Sequence, residues 1–397
     1  MAEPISISAA LALVLARIRP LPAEPVAVPD STGRVLAEPA LALVDLPPFP
    51  SSAMDGFAVR AADTPGTLPV GHRIAAGRPA ARALGPGEAM AIATGGALPD
   101  GADAVVPMEY VVEHDNYVEI AAASSPGDHV RPRAGDVRLG DVVVETGSLL
   151  GPAQLGGLAA AGISEVRCAR RPRAAVLATG SELRASGEPL GPGQIYESNG
   201  VLLASALSSA GAEVVRLPSV EDDPDLHRAA LARGLEHDVL VTSGGVSVGT
   251  HDLVRGIERE LGVEEVFWGV AVKPGKPVCF GVRGATLAFG LPGNPVSALV
   301  GFELFVRPAL LALQGAARPG PRYESGRLAR ALRRNPQRDE LVRARSRAGE
   351  DGVTLDPIGG QESHMIARAA GADALVLVPR GEGELAQGEQ VRFLRLA

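Results

Sequence analysis

Residues 237–249 read "HDVLVTSGGVSVG", and this stretch decides the fold. "HDVLVT" is a short aliphatic run without a polar face, which predicts a strand buried on both sides. It ends in a serine–glycine loop. Before it, "DDPDLHRAALARGLE" predicts a helix with Asp223 as cap and Pro224 at its first position. After it, "HDLVRGIERELG" predicts another helix. The alternation continues outward. "AAVLAT" reads as a buried strand, "NGVLLASALSSAG" as a helix, "AEVVRL" and "TLAFGLPG" as strands. "NPVSALVGFELFVRPALLALQG" closes as one long helix, with Asn294 capping and Pro295 at its first position. Strands alternating with helices predict a doubly wound α/β domain over 172–318, its sheet mostly parallel and covered on both faces.

The flanks read differently. Residues 43–138 are dense in Gly and Pro, with short apolar runs such as "AMAIAT", "DAVVPM" and "YVEIAA". That punctuation predicts an inserted β-rich lobe. Residues 1–42 together with 139–171 form a small N-terminal and linker domain. It holds a first helix capped near Ser6 or Ser8, a short strand around "GRVLAE", and a helix "PAQLGGLAAAG" stopped by Gly162. Beyond 319, period-two segments ("ELVRARS", "GVTLDP", "ALVLVP", "QVRFLRL") predict a C-terminal β-barrel or sandwich. No internal repeat is present.

Composition narrows the function classes. The formal net charge of −8 argues against a nucleic-acid footprint. The apolar N-terminal run "AALALVLA" is too short to span a bilayer, and Glu3 stands where a signal peptide would be basic. Cys168 and Cys279 lie far apart and form no metal-ligand spacing, so a reduced, cytoplasmic protein is expected.

Lys273 and Lys276, in "VKPGKP", are the only lysines among 38 basic residues. A lysine ammonium is a compact point charge that suits a tight oxyanion site. In open α/β sheets, ligands collect beyond the carboxyl ends of strands. Those ends carry Glu182, then Ser243, Gly244, Gly245 and Ser247, then Asp252, the two lysines, and Pro292, Asn294, Pro295 and Ser297. The glycines let backbone N–H groups face one point, and a helix N-terminus favours anions. Glu182 and Asp252 suit a hard cation such as Mg²⁺. No nucleophilic triad and no paired histidines appear, so positioning and electrostatics are expected to carry the chemistry. In the β-rich lobe, Asp55, Thr94 and Asp136 read as turn residues on spacing alone.

Five ordered motifs add a family resemblance: "SAMDGFAV", "TGSELRASGEPLGPGQIYESN", "TSGGVSVG", "KPGKP" and "LPGNPVSA". Together they resemble the molybdopterin molybdotransferases, bacterial relatives of the gephyrin E domain, along essentially the whole chain. The resemblance implies an enzyme that takes adenylylated molybdopterin and molybdate and, with Mg²⁺, releases AMP and leaves molybdenum on the dithiolene. It implies an elongated homodimer of four domains with the site between subunits, and contact with a molybdopterin adenylyltransferase and with molybdoenzyme apoproteins. Lys273 and Lys276 would meet molybdate or phosphate, and Ser297 with the backbone near Pro292 and Pro295 would complete an oxyanion pocket. Glu182, Asp252 and Asp222 match acidic functional positions. Asp55, Thr94 and Asp136 match positions lent by the partner subunit, a role that spacing did not suggest. Departures are Gly269 where Lys or Arg is usual, Ser181 and Thr250 where acids are common, and Gly135 where Glu is frequent. Ser363, His364, Arg343 and Arg345 are the C-terminal candidates. Two other functions share this central domain: adenylylation of molybdopterin, and non-catalytic pterin carriage or scaffolding.

Overall fold

A computed structural model describes residues 3–221, 223–245 and 253–396. Asp222, Ser247, Thr250 and Asp252 lie outside the described residues.

The central sheet has six strands in the order Glu213–Arg216, Arg173–Ala178, Val239–Ser243, Thr286–Leu291, Cys279–Arg283, Glu264–Trp268. The first four pair in parallel. The last two are antiparallel, closing through a hairpin from 279 to 291. Neighbouring strand residues serve opposite cores, as the period of two requires. Ala174, Val176, Val239, Val241 and Phe289 pack against Leu203, Leu207 and Leu310 on one face. Ala175, Leu177, Leu240 and Ala288 pack against Leu231, Leu235 and Ile257 on the other. Each such leucine contributes about 1.5–3 kcal/mol by leaving water.

The helix predicted before the central strand spans Pro224–Gly234, and the Asp223 carboxylate accepts from the Asp225 and Leu226 N–H groups. The helix predicted as one long piece is interrupted. Residues Pro295–Gly301 and Arg307–Leu313 are α-helical, and Phe302–Val306 is a π-turn. Pro308 is the physical cause: it has no N–H for the Leu304 carbonyl, and its ring crowds that turn. The same run is apolar enough to cross a membrane by composition, but it is mostly buried in the protein.

The N-terminal segment and residues 137–169 form one unit. Ala23–Ala27 pairs with Glu165–Ala169, and Val28, Leu36, Leu150, Leu158 and Val166 share a core. Ser6 caps the first helix, Ile7–Leu15. Gly162 takes φ +82° just past the helix Pro152–Ala160. "GRVLAE" forms no continuous strand. It makes only single bridges, Val35 to Leu149 and Leu36 to Cys168, because its two partners lie on different segments.

In the β-rich lobe a six-stranded sheet runs in the order Ala104–Pro107, Gly56–Val59, Ala89–Ile92, Gly66–Ile74, Tyr117–Ile120, Val111–Glu113. At the C-terminus, Asp339–Gly349, Gly352–Pro357, Tyr323–Leu328, Gln390–Arg395 and Ala374–Val378 close on themselves as a five-stranded barrel. Val342, Ala344, Leu355, Val376 and Phe393 fill it. Closure removes the open sheet edges.

Candidate active site

In chain order, the four parallel strands lie 2-1-3-4 across the sheet, so the order reverses between Arg173–Ala178 and Val239–Ser243. The helix Asn199–Ser209 leaves toward one face, and Pro224–Gly234 and Leu253–Glu260 cover the other. Such a reversal opens a crevice at the carboxyl ends of the strands. Here it is a cleft of about 540 Å³. Its walls come from Thr179–Gly180–Glu182, Tyr196–Asn199, Ser243–Gly245 and Gly293–Pro295, with His364 reaching in from the barrel.

The loops are held closely. Gly244 has φ +95°, and a Cβ there would come 2.7 Å from the Thr179 carbonyl oxygen. Its N–H donates to the Leu291 carbonyl at 3.2 Å, which ties the glycine loop to the neighbouring strand end. The Ser243 hydroxyl is buried and donates to the Pro292 carbonyl. The Glu182 carboxylate folds back over Gly180 and forms no ion pair with any described residue. Glu197, at the same rim, is spent on the Gly200 N–H and on Arg216.

Of the residues singled out from the sequence, Glu182, Ser243, Gly244, Gly245, Asn294 and Pro295 share this cleft. Ser297 lies one step behind it, buried. Asn294 takes the cap position, but its side chain does not cap. It donates to the Ser363 hydroxyl at 2.7 Å, and the Val296 N–H donates to the Ser363 carbonyl at 3.0 Å. Ser363 and His364 therefore reach the site through the barrel.

Arg343 has a different place from the one expected. It is fully buried, and its guanidinium donates to the Met365, Gly360 and Glu362 carbonyls. Burial holds it below its ordinary value, with the Glu362 charge opposing. Arg343 thus staples the 360–365 segment that presents Ser363 and His364. Arg345 donates to the Gly371 carbonyl.

The lysine loop also differs from expectation. Val272–Lys273 pairs with barrel strand residues Asp339 and Glu340, not with the central sheet. The strands Cys279–Arg283 and Glu264–Trp268 fill that edge instead. Lys273 pairs with Glu340 at 2.9 Å. Lys276 lines a second cleft of about 580 Å³ with Arg338 and Arg380. The loop still touches the site's rear wall, since a Cβ on Gly275 would lie 3.5 Å from the Ser297 carbonyl oxygen.

In the β-rich lobe the Asp55 carboxylate accepts from both the N–H and the hydroxyl of Thr94, at 2.7 and 3.1 Å. Asp136 is exposed, with its N–H on the Leu46 carbonyl. None of the three lines the central cleft. Sequence reasoning missed Asn199, Glu197 and Tyr196. Their only signal was their position in "IYESN", between a strand end and a helix. Both cysteines are buried thiols, and burial pushes Cys279 well above its ordinary value, which leaves no thiolate nucleophile. Among the described residues, no three His, Cys, Asp or Glu side chains come together as a metal cage.

Comparison with known proteins identifies the family. Residues 5–162 match the family model described as the MoeA N-terminal region (domain I and II). Residues 175–312 match the probable molybdopterin binding domain, and 325–396 the MoeA C-terminal region (domain IV). Molybdopterin molybdenumtransferase 2 of Mycobacterium tuberculosis is 39% identical over 93% of this chain and 94% of its own. Molybdopterin molybdenumtransferase of Haemophilus influenzae is 34% identical over 91% of each. A crystal structure of the molybdopterin biosynthesis moeA protein from Pyrococcus horikoshii superposes with TM-score 0.85 at 27% identity, over 99% of this chain and 100% of that one. A second structure from that organism gives 0.79 at 33% identity, over 99% of each chain. Three family models in order along one chain, and relatives this similar along nearly its whole length, show that the protein belongs to the molybdopterin molybdenumtransferase (MoeA) family.

Proposed function

We propose that this protein transfers molybdenum from molybdate to adenylylated molybdopterin with release of AMP, the last step of molybdenum cofactor biosynthesis. The observation that carries this reading is the cleft at the strand-order reversal, inside the segment that matches the molybdopterin binding domain. Its volume admits a drug-sized anionic ligand. Its glycine-rich floor lets a ligand phosphate approach the backbone closely, although the Gly244 N–H itself is held by the Leu291 carbonyl. The presence of both flanking modules distinguishes it from the adenylyltransferase alternative.

Within this reading, Ser243, Gly244, Gly245, Asn294 and Pro295 hold the pterin and phosphates. Lys273, Lys276 and Ser297, with the Pro292 backbone, meet the oxyanion. Mg²⁺ keeps most of its waters and binds through one or two carboxylates plus substrate phosphate, so the Glu182 carboxylate, without an ion pair among the described residues, fits it with no three-residue cage among them. Asp252 is the second proposed ligand and Asp222 a further acidic group. When bound, Mg²⁺ would neutralise charge on the adenylate phosphate. The protein's own groups orient the phosphate and exclude water.

We also propose a cytoplasmic homodimer whose partner lends Asp55, Thr94 and Asp136 to the cleft, divided into domains at 1–42 with 139–171, 43–138, 172–318 and 319–397. Leu41 sits directly opposite Val142, and both are about half exposed beside the exposed Leu43 and Leu139. Exposed leucines and a valine gathered there support the dimer reading. Contacts with a molybdopterin adenylyltransferase and with recipient apoenzymes fit the same reading.

The test is AMP release from adenylylated molybdopterin by the purified protein, with and without molybdate, and before and after chelation of Mg²⁺. Molybdate-dependent AMP release is expected, lost with EDTA and restored by Mg²⁺. Consumption of ATP with pyrophosphate release would point to the adenylyltransferase function instead.

A further inference from the structure

Asn199 opens the helix Asn199–Ser209 and lines the cleft, yet it is nine-tenths buried. Its side-chain amide nitrogen donates twice: to the Ser243 hydroxyl at 2.7 Å and to the Gly293 carbonyl at 2.7 Å. These acceptors lie 44 and 94 positions along the chain, at the ends of two different strands. The amide orientation follows from chemistry. The Gly293 carbonyl can only accept, so nitrogen must face it, and Ser243 passes its own proton on to the Pro292 carbonyl. The remaining atom, the Asn199 amide oxygen, is buried and has no partner among the described residues. A buried polar atom left unpaired calls for a reason.

Resting on the transferase reading, we infer that Asn199 is a positioning residue that fixes the Ser243–Gly245 and Gly293–Pro295 loops relative to each other. Both loops are built on glycine; beyond the Gly244 N–H bond to Leu291 and the Ser243 hydroxyl bond to Pro292, Asn199 ties them from a separate helix. One amide side chain spans them, and its oxygen, without a partner among the described residues, is left over when both donations come from the nitrogen. Asp could not replace it, because a carboxylate would face the Gly293 carbonyl with oxygen against oxygen. Leu would keep the burial and lose both ties.

Gln314 supplies the internal control. It is as buried, and its amide nitrogen also donates twice, to the Ala210 and Leu310 carbonyls at 3.0 Å. The bond to Ala210 secures the other end of the same helix, away from the cleft, and the bond to Leu310 lies within the helix Arg307–Leu313.

The experiment compares wild type, Asn199→Ala, Asn199→Asp and Gln314→Ala for thermal stability and for AMP release from adenylylated molybdopterin. Both Asn199 variants are expected to lose about 100-fold in kcat, the scale of a small misplacement of reacting groups. Their KM for molybdate should stay within about twofold, as for a residue that touches no oxyanion. Gln314→Ala is expected to melt earlier while keeping kcat. Asn199 variants that hold kcat within about twofold of Gln314→Ala would overturn the inference. So would failure of both Asn199 variants to fold while Gln314→Ala folds, since that assigns Asn199 to the core alone. Wild-type protein that releases no AMP would sink the transferase reading by itself. The same proteins would then be compared for AMP binding, with a tenfold or greater loss expected for Asn199→Ala and equal affinities overturning its role.

Discussion

Lys273 donates an ammonium N–H to Glu340 at 2.9 Å, joining the "KPGKP" loop to the barrel strand Asp339–Gly349. Half of the Lys273 side chain is exposed, so the pair itself contributes no more than about 1 kcal/mol. Its consequence is electrostatic: an oxyanion that recruits Lys273 meets the Glu340 carboxylate already on it, whose negative charge opposes binding. Glu340→Gln is therefore expected to lower the KM for molybdate several-fold, and Lys273→Ala to raise it at least tenfold, with melting temperatures nearly unchanged. Lys273→Arg should also lose affinity, because a planar fork does not replace a point charge. A molybdate titration of AMP release decides this. Unchanged KM in all three variants would remove Lys273 from the site.

The glycine at 244 tolerates no side chain. A Cβ would meet the Thr179 carbonyl and hydroxyl oxygens at 2.7 and 2.8 Å, in a backbone already at φ +95°. Gly244→Ala is expected to cost at least about 1–2 kcal/mol and to reduce turnover tenfold or more. Gly284→Ala is the matched control. Gly284 also has positive φ, at +60°, but its side is open, so stability alone should fall.

Gly269 stands where the resembling family usually has a basic residue, and its backbone shows what a reversion would meet. It has φ +89° with open space around the absent Cβ, and its N–H is tied to the Val278 carbonyl. Gly269→Lys should therefore fit sterically but cost about 1–2 kcal/mol in backbone strain. If an added charge there reaches the oxyanion, the KM for molybdate falls even as the protein melts earlier. Measuring both separates electrostatic gain from conformational cost.

Asp238 precedes the central strand and accepts from both terminal nitrogens of Arg170, each at 2.7 Å, and from the Arg173 N–H at 2.8 Å. Burial pushes its carboxyl up. The Arg170 pair and the Arg173 N–H outweigh that and hold it below the ordinary 3.8. A depressed carboxyl stabilises the fold above its unfolded value and stops doing so as pH falls through the folded one. Wild type should thus lose stability below about pH 4. Asp238→Asn, less stable by about 1.5–3 kcal/mol at neutral pH, should show a flatter acid dependence. Denaturant unfolding of both proteins across that range is the check, and parallel acid curves would mean that the pair does not report on folding.

Much of the fold was legible because its causes are local. The two faces of the central strands, the Asp223 cap, the stop at Gly162 and the period-two strands of the barrel each follow from residues within a few positions of one another. The π-turn before Pro308 was legible in principle, since proline's missing N–H acts one turn back, but period alone hid it. The strand pairing of "GRVLAE" was not legible, because its partners, Leu149 and Cys168, come from separate segments.

By itself, then, the sequence determined most element types of the central domain, the parallel pairing of four of its strands, and the loops on which Glu182, Ser243, Gly244 and Asn294 would lie. Periodicity, capping and glycine placement act over a few residues. Only the tertiary structure decided that Lys273 faces Glu340 in the barrel, that Arg343 spends its guanidinium on three carbonyls, and that Asn199 bridges Ser243 and Gly293. A side-chain hydrogen bond needs a partner within about 3 Å, and which distant residue arrives there depends on how whole layers pack.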